Sequence, residues 1–273
     1  MLGSAIIVLR ETLEAALLIG ILAAATRSIA HRGRWIAAGV LAGLAGAAVV
    51  ASLTGPISGL FGGVGQDVFN AAVLGLAVLL LGWHQIWMSA HGRELAANAQ
   101  NVGLDLREGR RRLSTLLVVI GLAVLREGAE TVLFLYGLFS AGDITGASIA
   151  TGGALGLAAG AALGVGLYAG MLRIPLRWFF LATSTLILLL AAGMASKMAR
   201  FLIQADLLPS LRSPLWNTSS LLPPDSYAGA FAHALVGYEP APDGMQAVAY
   251  VAALIVILAG MALVRRGSPG TAK

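Results

Sequence analysis

Cysteine is absent from all 273 residues, which excludes disulfides, thiolate metal sites and cysteine nucleophiles and leaves carboxylates, imidazoles and thioethers as ligands. Charge is scarce as well: 18 Lys/Arg and 13 Asp/Glu make up 11% of the chain, against about 25% in a water-soluble domain. Too little polar surface exists to cover a soluble globule of this length. What the chain has in its place is apolar sequence, 58% of residues with a mean hydropathy of +0.84, arriving in runs of about 18 residues or more, the signature of a polytopic membrane protein. Walker motifs and a cytoplasmic ATPase domain are also missing. The first residues, MLGSAIIVLRETLE, lack the basic leader of a signal peptide and are expected to form a true first helix.

Seven apolar segments can be marked, near residues 2–29, 35–53, 68–91, 114–139, 146–170, 176–200 and 247–264. Each is long enough for a hydrocarbon core of about 30 Å at about 1.5 Å per residue. Alternating sides puts 13 basic residues on one face: Arg27, Arg32, Arg34, Arg93, Arg107, Arg110, Arg111, Arg112, Arg173, Arg177, Arg265, Arg266 and Lys273. Lys197, Arg200 and Arg212 fall on the other, and Arg10 and Arg126 lie within the membrane. By the positive-inside rule the N-terminus is outside and the C-terminus inside. Nucleic-acid binding is excluded, because the positive charge follows topology and forms no basic face. Asp67, Asp143, Asp206, Asp225, Glu239 and Asp243 gather on the outer side, where their sum attracts cations.

Between 201 and 246 lies the one long outer loop, with six of the nine prolines. A short helix, SYAGAFAHALV, capped by Asp225 and ended by Gly237, is expected within it. Residues 92–112 read as a cytoplasmic connection that anchors its flanking helices at the surface.

Val8–Leu22 (VLRETLEAALLIGIL) repeats as Val124–Leu138 (VLREGAETVLFLYGL). Three helices separate the copies, so the second runs in the opposite direction; the expected fold is all-α, seven transmembrane helices in two inverted three-helix repeats plus a seventh helix. The whole chain, 1–273, forms one membrane domain, divided as repeat 1 (about 1–91), connection (92–112), repeat 2 (about 113–200), outer loop (201–246) and seventh helix (247–264). Gly39 and Gly43 in the second helix and Gly152, Gly156, Gly160 and Gly164 in the fifth form small-residue stripes that permit close helix packing.

Each copy carries Arg-Glu-x-x-Glu: Arg10, Glu11 and Glu14, then Arg126, Glu127 and Glu130. Residues i and i+3 or i+4 share a helix face, and both motifs fall roughly 15 to 20 Å from the outer surface, near the midplane. A charge at the centre of a spanning helix costs about 2.5 to 3.5 kcal/mol on insertion scales, so six such residues must face one another inside the bundle. Four glutamates and two arginines sum to −2, a deficit that a bound cation or two protons would remove. Oxygen ligands without cysteine suit a hard or borderline metal ion, with the arginines orienting the carboxylates. In a soluble helix the same motif would be an ordinary ion pair; its recurrence inside apolar runs favours an ion site.

On these motifs the chain resembles the oxidase-dependent iron permeases, whose hallmark is R-E-x-x-E in the first and fourth of seven helices. The likeness extends to TSTLILLLAAGMA in the sixth helix and to GYEPAP with Gln246 and Tyr250 near the seventh. It implies a multi-pass protein of a plasma membrane, the bacterial inner membrane, carrying iron as transported substrate and no resident cofactor. Glu11, Glu14, Glu127 and Glu130 would be the metal ligands, with Arg10 and Arg126 as ion-pair partners. Family members carry a glutamate near the outer start of the third helix, where this chain reads Phe69-Asn70; Asp67, one turn earlier, is the candidate outer relay, against an ordinary helix-start aspartate. A ferroxidase or periplasmic iron-binding protein is the implied partner.

His84, Met88 and His91, at i, i+4 and i+7 toward the cytoplasmic end of the third helix, read as interfacial residues beside Trp83 and Trp87, with metal hand-off as the competing role. Met194, Lys197 and Met198 read as packing and anchoring, and His233 as structural. Three functions compete with iron transport: a permease for manganese or lead, a non-transporting membrane assembly subunit, and a di-iron oxidase. The last lacks the Glu-x-x-His pairs such a centre needs.

Overall fold

The computed structural model describes residues 1–59, 65–140, 145–170, 176–223 and 226–267. Asp143, Arg173, Asp225 and Lys273 lie outside them, as do the side chains of Arg93, Arg177, Arg265 and Arg266.

Eight α-helices and no strand occur among the described residues: α1 (Leu2–Ala25), α2 (Arg32–Gly59), α3 (Gln66–Arg107), α4 (Ser114–Ser140), α5 (Gly146–Tyr168), α6 (Leu176–Gln204), α7 (Tyr227–Val236) and α8 (Gly244–Gly267). Five segments are long and apolar enough to cross a membrane: Arg32–Leu53, Gln66–Gly92, Gly146–Tyr168, Phe180–Gln204 and Gly244–Val264. The helices α1 and α4 match them in length, but each carries the three charges of its motif at its centre.

Packing follows the small residues. Helix α1 lies along α5 and α2 along α4, while α3 packs on α6 and α8. A Cβ on Gly160 of α5 would come within 2.8 Å of Thr12 Cβ on α1, and one on Gly43 of α2 within 2.6 Å of Val124 Cβ on α4. Real Cβ atoms do not approach so closely, so the glycine stripes set both interhelical distances. One apolar cluster joins Ile7, Leu74, Leu81, Phe134, Ile187 and Met194 at the centre, and a second joins Leu22, Ala99, Leu106, Leu116, Ile120 and Val124 at the other end of α1.

That second cluster includes part of the expected connection, residues 92–112. Helix α3 continues unbroken for 42 residues to Arg107, about 63 Å at 1.5 Å per residue. Its second half buries Ala99 and Leu106, seven residues apart on one helical stripe, against Leu22 of α1 and Leu116 of α4. Beyond it Asp105 binds Arg110 Nη2 at 2.8 Å and Arg111 Nε at 3.0 Å, folding the basic run back on the helix end. Those guanidiniums, Arg111 first, hold the Asp105 carboxyl below its ordinary value.

The short outer helix forms as α7, but Ser226 caps it: the Ser226 hydroxyl accepts from Gly229 N–H at 2.9 Å. Gly237 ends it with φ 68° and rests against Gly193 of α6, where a Cβ would collide with backbone. His233 donates Nδ1–H to the Tyr238 carbonyl (2.7 Å) and accepts from Lys197 Nζ on α6 (3.1 Å), the structural role read for both residues. Burial, reinforced by the Lys197 ammonium, holds the His233 ring below the ordinary imidazole value. Around it, Thr218 N–H and Leu215 N–H bind the carbonyls of Pro240 and Pro242, both at 2.8 Å, so the proline-rich loop is ordered by its own backbone.

Candidate ion-binding site

The two motifs meet at the crossing of α1 and α4. On α1, Arg10 Nη1 lies 3.3 Å from Glu11 Oε1 and Nη2 lies 2.9 Å from Glu14 Oε1, all three side chains being almost fully buried. On α4, Arg126 Nε donates to Glu130 Oε1 at 2.9 Å and stands 4.0 Å from Glu127 Oε1. Its guanidinium also covers the Trp87 ring at 4.6 Å from the centroid, a cation–π contact.

Across the helices the acids converge. One ligand atom each of Glu11, Glu127 and Glu130 falls within a sphere of 4.8 Å mutual separation, and one each of Glu11, Glu14 and His84 forms a second such group. Glu11 belongs to both. Glu11 Oε2, Glu14 Oε2 and Glu127 Oε2 are buried with no hydrogen-bond partner. Each such oxygen costs about 1 to 3 kcal/mol or more, so the cluster is built at the expense of stability and is completed only by a positive guest.

The surprise is His84. Read as interfacial, it is 3% exposed and enters from α3: Nε2 sits 3.2 Å from Arg10 Nη2 and 3.9 Å from Glu14 Oε2, and Nδ1 pairs with Glu130 Oε2. The Phe134 ring packs edge-on at 6.3 Å. A signal existed in the sequence, since His84 and Gln85 are adjacent polar residues inside an apolar run; Gln85 is likewise buried and binds the Ser184 carbonyl of α6 at 3.0 Å. His91 keeps its interfacial reading, stacked on Trp87 at 4.9 Å and bonded to the Trp87 carbonyl at 3.1 Å. Met88 is half-buried between them along the chain. Asp67, in the first turn of α3, belongs to neither ligand group and lies 17 residues before His84, about 25 Å along the helix axis.

One side of the site opens. Leu80, Trp83, Trp87, Leu133 and Phe134 enclose, with His84, Arg126 and Glu130, a cavity of about 250 Å³ between α3 and α4. The α4 motif faces it, with Arg126 34% and Glu130 22% exposed, while Arg10 and Glu11 on α1 are at 2% and 1%.

An all-helical chain with several helices long and apolar enough to cross a membrane, whose motif carboxylates converge between helices and outnumber their arginines, has the build of a membrane permease. It belongs to the iron permease FTR1 family, whose model it matches over residues 1–266. Among curated proteins it is 32% identical to the ferrous iron permease EfeU of Shigella sonnei over 94% of each chain. To the proteins of that name from Escherichia coli O6:H1 and Yersinia pestis it is 33% and 30% identical, the latter over 98% of this chain and 95% of the relative. No solved structure matches. The protein is therefore an iron transporter of the plasma membrane with several spans, not an enzyme, and iron is its substrate.

Proposed function

We propose that the chain carries ferrous iron inward through a central site formed by Glu11, Glu14, Glu127 and Glu130, with Arg10 and Arg126 as counter-charges. The observation that carries this reading is the sharing of Glu11: a carboxylate from one motif completes a ligand group with two from the other. Four ionised glutamates and two arginines leave −2, which a divalent ion balances; ferrous iron is what the relatives' names specify.

The seven long helices span the bilayer with the N-terminus outside, following the excess of basic residues in the loops assigned to the inner face. Helices α1–α3 and α4–α6 form two units inverted in the membrane, and α8 is the seventh span. Exchange of partners supports that symmetry, because the first helix of each unit packs on the second helix of the other, α1 on α5 and α4 on α2. Inverted units that hold an ion at their interface release it to alternate sides by rocking against each other. A periplasmic iron-binding protein fits a ferrous cargo as the delivering partner, whereas a ferroxidase would fit only a ferric one; the acidic outer residues, Asp67 among them, concentrate the ion at the outer face.

Reconstituted vesicles test this directly. Wild-type protein should accumulate anaerobic Fe²⁺, and Glu14→Gln or Glu127→Gln should lower the rate about 100-fold or more, as removal of one buried charge-paired ligand implies, with normal protein in the membrane. Uptake unchanged in both variants would remove the four glutamates from the path. Competition by Mn²⁺ or Pb²⁺ that iron cannot reverse would reassign the cargo.

A further inference from the structure

The positive group beside Glu11, Glu14 and His84 is Arg10, and its placement is specific. Its two terminal nitrogens touch Glu11 Oε1 at 3.3 Å, Glu14 Oε1 at 2.9 Å and His84 Nε2 at 3.2 Å. These are the three residues whose ligand atoms also group closely enough to hold an ion. A guanidinium has only N–H donors, so the His84 nitrogen facing it must present a lone pair. The ring proton then sits on Nδ1, where Glu130 Oε2 receives it. This is the arrangement of a metal-ligating histidine: one nitrogen free to bind, the other fixed by a carboxylate that sets tautomer and ring orientation.

We propose that His84 Nε2 is a ligand of the transported ion, bound with Glu11 and Glu14 in the place that the Arg10 guanidinium fills, and that this nitrogen makes the site prefer borderline transition-metal ions to hard ones. The proposal rests on the four-glutamate reading and adds to it a group of different chemistry. Carboxylates alone discriminate poorly among divalent ions, whereas an imidazole nitrogen strengthens binding along the series from Mn²⁺ through Fe²⁺ to Co²⁺ and Ni²⁺. Arg10 holds the three donors in register without an ion and withdraws when one arrives, so the site never presents two bare carboxylates to the membrane interior.

The purified chain in detergent provides the test, through equilibrium binding of Co²⁺ and Mn²⁺ measured by calorimetry. His84→Gln should weaken Co²⁺ about tenfold or more and Mn²⁺ less than about threefold, narrowing the preference between them. His84→Ala should lose the same preference and regain it in millimolar imidazole, because His84 borders the cavity between α3 and α4. Equal weakening of both ions, or no recovery with imidazole in a well-folded His84→Ala protein, would overturn the proposal and leave His84 as a support for Glu130. Glu11→Gln separates the two levels. If it weakens both ions while the His84 variants leave the preference intact, only the nitrogen ligand falls; if it binds both ions as the wild type does, the carboxylate site falls and His84 with it.

Discussion

The two copies of Arg-Glu-x-x-Glu share a sequence and differ in surroundings. On α1 the arginine is sealed between two glutamates and a histidine; on α4 it leans over Trp87 toward a cavity, paired closely with one glutamate only. Identical charges thus sit in unequal dielectric surroundings, and their energetic roles separate accordingly. The buried copy is held by one cation whose loss, with nothing in its place, strands two carboxylates in the interior; the open copy borders a cavity and loses less when its cation is removed.

The largest test of that contrast is removal of each arginine. Arg10→Ala strands Glu11 and Glu14 in the interior and is expected to destabilise the protein by about 3 to 5 kcal/mol, the usual result of breaking a buried pair. Arg126→Ala, with its side chain 34% exposed beside the cavity, should cost about 1 kcal/mol. Thermal unfolding in detergent reads both, and equal losses would erase the distinction. A smaller effect is accessibility. Because the native chain has no cysteine, Leu13→Cys and Leu133→Cys each introduce the sole thiol, one beside the buried motif and one in the cavity wall. Leu133→Cys should react with a small polar maleimide about tenfold faster or more, as exposed thiols do; similar rates would mean that the cavity is closed to water.

The smallest effect is acid sensitivity away from both motifs. His233 is held below the ordinary imidazole value by burial and then by Lys197, so the folded state binds its proton later than the unfolded chain does. Its contribution is present above about pH 6.5 and is lost as pH falls through the depressed folded value. The fall in melting temperature between about pH 7 and pH 5 should therefore be shallower in His233→Gln, while the contrast between Arg10→Ala and Arg126→Ala persists at both pH values.

Sequence revealed the helices and the six motif residues because both signals are local: apolar runs of span length and a spacing that repeats. His84 was legible as a polar residue in an apolar run and a competing candidate for metal hand-off, but its entry into the central cluster depends on which way α3 faces once α1 and α4 have crossed, and no periodicity encodes that. The same holds for residues 92–107. Their apolar stripe of Ala99, Val102 and Leu106 was present in the sequence, yet the charges around it suggested a surface segment until the ends of α1 and α4 supplied something to bury it against. At α7, Ser226 caps the helix, a residue with capping chemistry similar to that of its neighbour Asp225, which lies outside the described residues. Asp67 stands in the first turn of α3, the helix start where an outer relay was expected, and outside both central ligand groups.

Helix α3 also has a mechanical consequence. The rod that carries His84 is the one whose far end is wedged against the termini of α1 and α4. Because the helix is unbroken between them, the element that brings the nitrogen is fastened at its far end to the same two helices that bring the oxygens.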